Sequence, residues 1–443
     1  MATTTGKVLR QLLSERMGDY NPLTTSSAGN SAKTSLVDTG LKNLPGGDDD
    51  DFCLGWYVLI TDSDAASDGE IRRVSGYSAS GADGDSPTII VGQPFTGGQI
   101  ETDISYELHR WDPTLKKESI NRAIRLLYPT LYLPIRDESI VVDDILLNGN
   151  MEDWNSTNDA PDSWTLVNSP TVTRESSTVF RGTYSAKLIS PSGSVGQLTQ
   201  APDTNLPDIA GKTATIRARV KTDAATQARL ILEFGTATEN GDYHTGDNEW
   251  QRLSASRTVP DDATEVTGKL EVIAGTKTAY FDHVYLTIDP VYKYTLPTTI
   301  VNWPSHITMQ HSEADVDGQF YPFKPGGIPI AGRILRIEGM GILTQPSTDS
   351  ATVEIGSPHV DLVTAYAEML FWRQMANPSR SPQQQRQGFL DTAGVAAEDV
   401  EALARRLKTP RMGASIITET AHFENDASGK YLIFDRSRQV VSI

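Results

Sequence analysis

The chain has one cysteine, Cys53, in 443 residues. A lone thiol excludes an intrachain disulfide framework and any cysteine-only metal site, and it fits a reducing compartment. Long apolar runs are missing as well. Trp56-Tyr57-Val58-Leu59-Ile60 is among the longest and is far too short to span a bilayer, so no membrane insertion is expected. Positive charge is scarce: 39 Lys and Arg stand against 57 Asp and Glu, a formal charge of −18. Gripping a nucleic-acid backbone needs clustered cations, so no sequence-specific nucleic-acid partner is expected. Met1-Ala2-Thr3-Thr4-Thr5 lacks the charged and apolar regions of a secretion signal, which sets an expectation of folding in the cytoplasm.

Catalytic patterns are absent too. No phosphate-cradling glycine loop stands between a strand and a helix, and neither a zinc-protease His pair nor a serine elbow occurs. The 7 histidines are scattered. His306 and His311 are close in sequence, but no cysteine or second pair stands near them to complete a zinc set. The expectation is a protein that makes no bonds.

What the sequence does contain falls into three parts. Val8, Leu9, Leu12 and Leu13 mark one face of a short helix. Asp19 to Asp51 is polar, ends in four aspartates, and reads as an extended arm or a long loop that lies against a neighbouring subunit. Phe52 to Arg110 alternates β-formers with Gly- and Asp-rich turns such as Ser80-Gly81-Ala82-Asp83-Gly84-Asp85, the pattern of a small antiparallel meander. A helix follows, with Ile120, Ala123, Ile124 and Leu127 on one stripe. From Leu147 to Ile288 no helical period appears; short alternating runs such as Ala214-Thr215-Ile216-Arg217-Ala218-Arg219-Val220 are separated by turns, as in a sandwich or jelly roll. Pro358 then opens an apolar helix, a second runs from about Pro382 to Leu407, and Ser415 to Ile443 is extended in pattern.

The middle part resembles carbohydrate-binding-module jelly rolls of the family 4/9 type. The resemblance is carried by Asn148-Gly149-Asn150-Met151-Glu152, Trp164, Val172-Thr173-Arg174-Glu175, Gly182-Thr183-Tyr184-Ser185-Ala186-Lys187-Leu188, Trp250-Gln251-Arg252-Leu253 and Tyr280-Phe281-Asp282-His283-Val284-Tyr285-Leu286. It implies a structural calcium ion with Glu152 and Asp282 as its carboxylate ligands, a chemistry that oxygen donors suit. Trp164 and Trp250 read as core anchors, which leaves Trp154, Tyr243 and His244 as the aromatic candidates for stacking on a glycan. The flanks are similar to neck proteins of tailed bacteriophages. That likeness rests on the Asp/Gly-rich turn before Arg72-Arg73-Val74-Ser75-Gly76-Tyr77, on Asn121-Arg122-Ala123-Ile124, and on the order strand, turn, strand, Ala-rich helix over Gly339 to Ala376. It implies a ring, commonly dodecameric, between a portal protein and tail or nozzle proteins.

The sequence therefore predicts a mixed α+β scaffold, a small antiparallel β meander plus helices, with an inserted all-β jelly-roll sandwich. The predicted divisions are 1–146 and 289–443 for the scaffold and 147–288 for the sandwich. The expected role is a virion structural protein of the neck or tail, a head-to-tail adaptor assembled in the host cytoplasm. The alternatives are a receptor- or glycan-binding tail or fibre protein with a cell-surface glycan as partner, and a secreted polysaccharide-active enzyme with a sugar-binding module.

Overall fold

A computed structural model describes residues 2–80, 86–157, 159–202, 204, 206–291, 293–301, 304–310, 320–322, 330–407 and 433–435. The turn at 81–85, His311 and nearly all of the extended tail lie outside the described residues. The chain forms two compact units, residues 1–133 with 341–411, and residues 134–340 with 412–443. The architecture is mixed α+β with a jelly-roll sandwich.

In the first unit the helix Gly6–Arg16 starts where Thr5 accepts the Val8 N–H, and it buries Leu9 and Leu13. Distant segments meet here. Thr4–Thr5 pairs antiparallel with Thr352–Val353, and Gly6 N–H donates to Ala351 O at 2.8 Å. A six-stranded sheet runs in the order Asn21–Thr24, Ser105–His109, Tyr57–Ile60, Ile71–Ser78, Thr88–Val91, Ser35–Val37, every neighbour antiparallel. The polar stretch from Asp19 is thus no free arm. It supplies both edge strands of that sheet, and Leu36 and Leu41 lie wholly buried in its core. The aspartate run is also tied down: Asp50 Oδ1 accepts the Ala79 N–H at 2.8 Å and Asp51 Oδ1 the Tyr77 N–H at 2.9 Å. Side-chain acceptors for orphan backbone donors explain this acid cluster better than repulsion does.

Three more helices complete the unit. Pro113–Leu126 begins with proline in its first turn and Asp112 accepting the Thr114 N–H, both start signals. His359–Met375 and Gln383–Arg406 follow. Leu9, Ile120, Ile124, Val363, Ala367 and Leu370 form their shared core. A buried polar knot fastens helix to sheet: Lys116 Nζ donates to Asp19 Oδ2 at 2.8 Å and Ser14 Oγ at 2.9 Å, beside Glu107, His109 and Arg10.

The second unit holds the sandwich. Its first sheet is ordered Thr171–Glu175, Ser185–Ile189, Thr278–Thr287, Thr213–Lys221, Gln251–Thr258. The second is ordered Thr238–Asn240, Ala228–Glu233, Thr267–Val272, Gly196–Gln200, Thr165–Val167. All pairs are antiparallel. Alternate residues from both sheets, among them Ile216, Val220, Leu230, Leu270 and Phe281, build one core running from Leu146 to Leu286. A four-stranded sheet, Phe320–Pro322, His306–Gln310, Ile334–Gly341, Leu133–Val141, belongs mainly to the same unit. Within the tail, Ile433–Asp435 pairs in parallel with Lys293–Thr295.

The unit division differs from the cuts at 146 and 289. Residues 134–146 and 289–340 fall in the unit that carries the sandwich. The reason is packing: Val141, Tyr285 and Ile334 share one small core, and Val142, Tyr294, Met309 and Leu335 another. Among the described residues no helix is long and apolar enough to cross a membrane.

Candidate functional site

The sandwich closes on a β-bulge. Arg217 pairs with Tyr285 and Arg219 with Asp282, so His283 and Val284 together oppose Ala218. Within this bulge His283 takes the left-handed conformation, with φ +51°. The Asn148-Gly149-Asn150-Met151-Glu152 segment docks on this kink. Val284 N–H donates to Gly149 O at 2.7 Å, and a Cβ on Gly149 would sit 1.9 Å from Val284 O, so only glycine fits. The Asn148 side chain bonds Asp153 N–H at 3.0 Å and the carbonyls of Asp153 and Asp162 at 2.8 and 3.0 Å. Trp164 Nε1 donates to Asn148 O at 3.2 Å.

This docking brings the two predicted calcium ligands into one cleft of about 510 Å3, which Arg136, Glu138, Asn150 and Arg181 also line. Glu152 Oε1 accepts the N–H groups of Thr183 and Tyr184 at 2.7 and 3.0 Å. Gly182, with φ +84°, makes room: a Cβ there would stand 2.1 Å from that oxygen. Asp282 Oδ2 accepts the N–H groups of Phe180 and Arg181 at 2.8 and 3.0 Å. Its other oxygen, Oδ1, is buried without a hydrogen-bond partner. Burial pushes the Asp282 carboxyl up to about 7, because a charge withdrawn from water needs a compensating cation or a proton. An orphaned carboxylate oxygen beside a second carboxylate fits a hard divalent ion. Among the described residues no group of three or more His, Cys, Asp or Glu is arranged to hold a metal, so such an ion would take its remaining ligands from carbonyls and water. Glu138, by contrast, is paired with Arg136, Arg181 and Arg336. Against the opposing effect of burial, the Arg336 hydrogen bond and the Arg181 charge hold its carboxyl below the usual range.

The aromatic candidates are placed differently from one another. His244 is buried, 1% exposed; its Nε2 bonds Glu249 O at 3.0 Å and its Nδ1 accepts the Gly246 N–H at 2.8 Å. It holds its own loop and presents no face to a sugar, which corrects the expectation from loop-like sequence. Trp154 packs against the sandwich core with Nε1 on Met151 O at 2.6 Å, so it serves the docking segment. Tyr243 is half-buried with the Arg229 guanidinium 4.9 Å from its ring centre.

Tyr243 leads to a row that sequence reasoning missed. In the second sheet Gln197 pairs with Glu271 and Glu271 with Arg229. Their neighbours Leu198, Leu230, Leu270 and Val272 point into the core, so this row faces the other way. Glu271 accepts from Gln197 Nε2 at 2.7 Å and from Arg229 Nε at 2.8 Å. A carboxylate, an amide, a guanidinium and a phenol ring therefore stand in line on the face opposite the core, with Gln197 and Glu271 only 9% and 4% exposed and Arg229 and Tyr243 half-buried. The alternation in Gly196-Gln197-Leu198-Thr199-Gln200 signals the outward side of one strand; no signal in the sequence sets the register that aligns three strands.

No family model matches the chain, and no curated protein matches it. Solved structures do. The enzymatically active domain of tailspike protein 4 from bacteriophage CBA120 is similar over 33% of this chain and 22% of its own, at 16% identity and a TM-score of 0.27. The match thus spans about a fifth of that domain. The C-terminal family 22 carbohydrate-binding module of Clostridium thermocellum Xyn10B is similar over 32% of this chain and 94% of its own, at 16% identity and a TM-score of 0.24. TmCBM61, solved with β-1,4-galactotriose, is similar over 33% of this chain and 99% of its own, at 15% identity and a TM-score of 0.25. These likenesses are weak, and the sandwich is defined by its own strand pairing and core.

Proposed function

We propose that this chain is a glycan-recognition protein of a virion, that its sandwich takes a sugar on the outer face of the second sheet, and that a structural calcium ion sits between Glu152 and Asp282. The observation that carries the glycan reading is the aligned row Gln197, Glu271, Arg229 with Tyr243 beside it. Sugar hydroxyls both donate and accept, and this row supplies fixed acceptors, charged donors and an aromatic surface in one line. The role is binding, without bond cleavage.

Calorimetric titration with neutral β-1,4-linked oligosaccharides tests it. Wild type should bind, and Glu271→Ala and Tyr243→Ala should each weaken binding about tenfold, roughly the loss of one charge-assisted hydrogen bond or one ring contact. No binding by wild type across a panel that a control lectin recognises would end the reading. Release of reducing ends from the same sugars would favour the polysaccharide-active enzyme instead.

A second reading, the ring-forming adaptor with portal and tail or nozzle partners, is favoured by apolar side chains on the scaffold helices. Leu126, Leu390 and Val395 are 50%, 48% and 65% exposed, and a neighbouring subunit in a ring would cover them. A particle of about a dozen subunits by mass photometry supports that reading; a monomer at micromolar concentration rejects it.

A further inference from the structure

The cleft that holds Glu152 and Asp282 is larger than an ion needs. At about 510 Å3 it has room for about 17 water molecules at roughly 30 Å3 each. A calcium ion takes six to eight oxygens; with two of them from the carboxylates, at most about six are left to water, or about 180 Å3. The rest, about 330 Å3, falls in the range of roughly 300–1,000 Å3 that small-molecule sites occupy. One wall is the strand Leu133–Val141; the other is built from the docking segment, the loop before Ser185–Ile189 and the strand Thr278–Thr287. All of it belongs to the second unit.

Chemistry decides what this space admits. No lining residue carries an aliphatic side chain, which excludes an apolar ligand. Two guanidiniums, Arg136 and Arg181, stand among four carboxyl groups, Asp137, Glu138, Glu152 and Asp282. Both guanidiniums are already paired with Glu138, so neither is offered to an anion. One divalent ion brings this set to neutrality, and His283, held down at about 3 by burial first and then by the Arg181 and Arg219 charges, adds no charge of its own. With the ion in place the cleft favours neither an anion nor a cation. What it offers is uncommitted hydrogen bonding. The side chains of Asn150 and Thr183 line the cleft and make no hydrogen bond among the described residues. The Ser139 hydroxyl, on the opposite wall, donates to Asp137 Oδ1 at 2.6 Å and keeps its lone pairs as acceptors.

We propose that this cleft is a second ligand site, in which Asn150, Thr183 and Ser139 take the hydroxyls of one uncharged sugar unit once the ion has neutralised the carboxylates around it. An amide and a threonine hydroxyl each donate and accept, as sugar hydroxyls do, and groups on two walls can hold one ring from both sides. The inference rests on the ion reading of Glu152 and Asp282. It does not rest on the row of Gln197, Glu271 and Arg229, which belongs to the other sheet of the sandwich.

The experiment pairs two measurements on the full chain. Melting curves in chelator and in millimolar calcium read the ion alone. Saturation-transfer NMR with the methyl glycosides of glucose, galactose, mannose and xylose reads the sugar. In calcium at least one glycoside should bind, and chelator should abolish the signal. Thr183→Val and Ser139→Ala should each weaken binding about three- to tenfold, the loss of one neutral hydrogen bond. Both residues are exposed, so both variants should keep the wild-type midpoint and its calcium shift, which separates a binding loss from unfolding or loss of the ion. Glu271→Ala should leave this signal unchanged, so a failure of the row on the other sheet is read separately. The proposal is overturned by a calcium shift with no glycoside bound, by equal binding in chelator, by two variants that bind as wild type does, or by a signal that Glu271→Ala removes. A melt that calcium leaves unmoved removes the ion, and this site with it.

Discussion

Asp282 offers the sharpest test of the ion site, because its burial makes a signed statement about pH. A carboxyl whose folded value is raised above its unfolded value binds more protons folded than unfolded. Its stability contribution is therefore most favourable below the unfolded value of 3.8 and is lost as pH rises to about 7. The gap between 3.8 and about 7 corresponds to about 4 kcal/mol, a large part of an ordinary domain's stability. Asp144, also pushed up to about 7 by burial, adds an effect of the same sign in the same window. Calcium should reverse the trend, since it needs the charged carboxylate and binds the folded form alone. The perturbation is Asp282→Asn, which keeps an acceptor for the Phe180 and Arg181 N–H groups and removes the charge. In chelator, the wild-type melting midpoint should fall between pH 5 and pH 8, and the variant's should fall less, with the Asp282 contribution removed and that of Asp144 kept. In millimolar calcium at pH 8, wild type should gain several degrees and the variant none. A variant that keeps the full calcium shift, or a wild type flat from pH 5 to 8 in chelator, refutes the reasoning.

Legibility from sequence followed the range of the interactions. The alternating run from Ala214 to Val220 forms the strand Thr213–Lys221, because alternation is a local consequence of having one buried face. Thr238–Asn240 has the pattern e-i-e in burial and no apolar residue, so it carried no such signal. Asp19 to Asp51 was misread for the opposite reason: its edge strands are short and polar, and what holds them is pairing with Ser105–His109 and Thr88–Val91, which lie far along the chain. At the site, Glu152 and Asp282 could be named because the segments that hold them, Asn148 to Glu152 and Tyr280 to Leu286, carry the resemblance to carbohydrate-binding modules that implies them. Their convergence on Thr183, Tyr184, Phe180 and Arg181 N–H groups could not be read. The row of Gln197, Glu271 and Arg229 depends on register between three strands, and His244 depends on a loop closing over it; neither leaves a mark in a local window.

Further tests follow from the packing. Lys116→Met leaves Asp19 charged and buried without its ammonium partner, and the expected loss is about 3–5 kcal/mol by chemical denaturation; a loss under about 1 kcal/mol would mean the knot is not cooperative. Glu107 is held down at about 2, where the His109 hydrogen bond and the Arg10 charge outweigh burial. Its share of stability should be intact above pH 4.5 and fade as pH falls toward 2, and Glu107→Gln should flatten that acid limb. Gly182→Ala forces a side chain into the left-handed region and against Glu152 Oε1, so about 1–3 kcal/mol of strain and a weaker calcium response are expected together. Leu370→Asp puts a charge into a core site 6% exposed and should unfold the first unit. The last test is of the seam. Cutting out 147–288 strips Tyr285 from Val141 and Ile334 and removes the Leu286 N–H that Asp144 binds at 2.9 Å, leaving the four-stranded sheet with an uncovered apolar face. Cutting out 134–340 and ending the chain at 411 follows the unit boundary, and what is left keeps Thr4–Thr5 paired with Thr352–Val353 and the helical core of Leu9, Ile120, Val363 and Leu370. With glycine joints in both, the longer excision should give the soluble protein with one cooperative melt, and the shorter one should aggregate or melt lower. The reverse order would mean that the sandwich, and not the whole second unit, is the part that folds by itself.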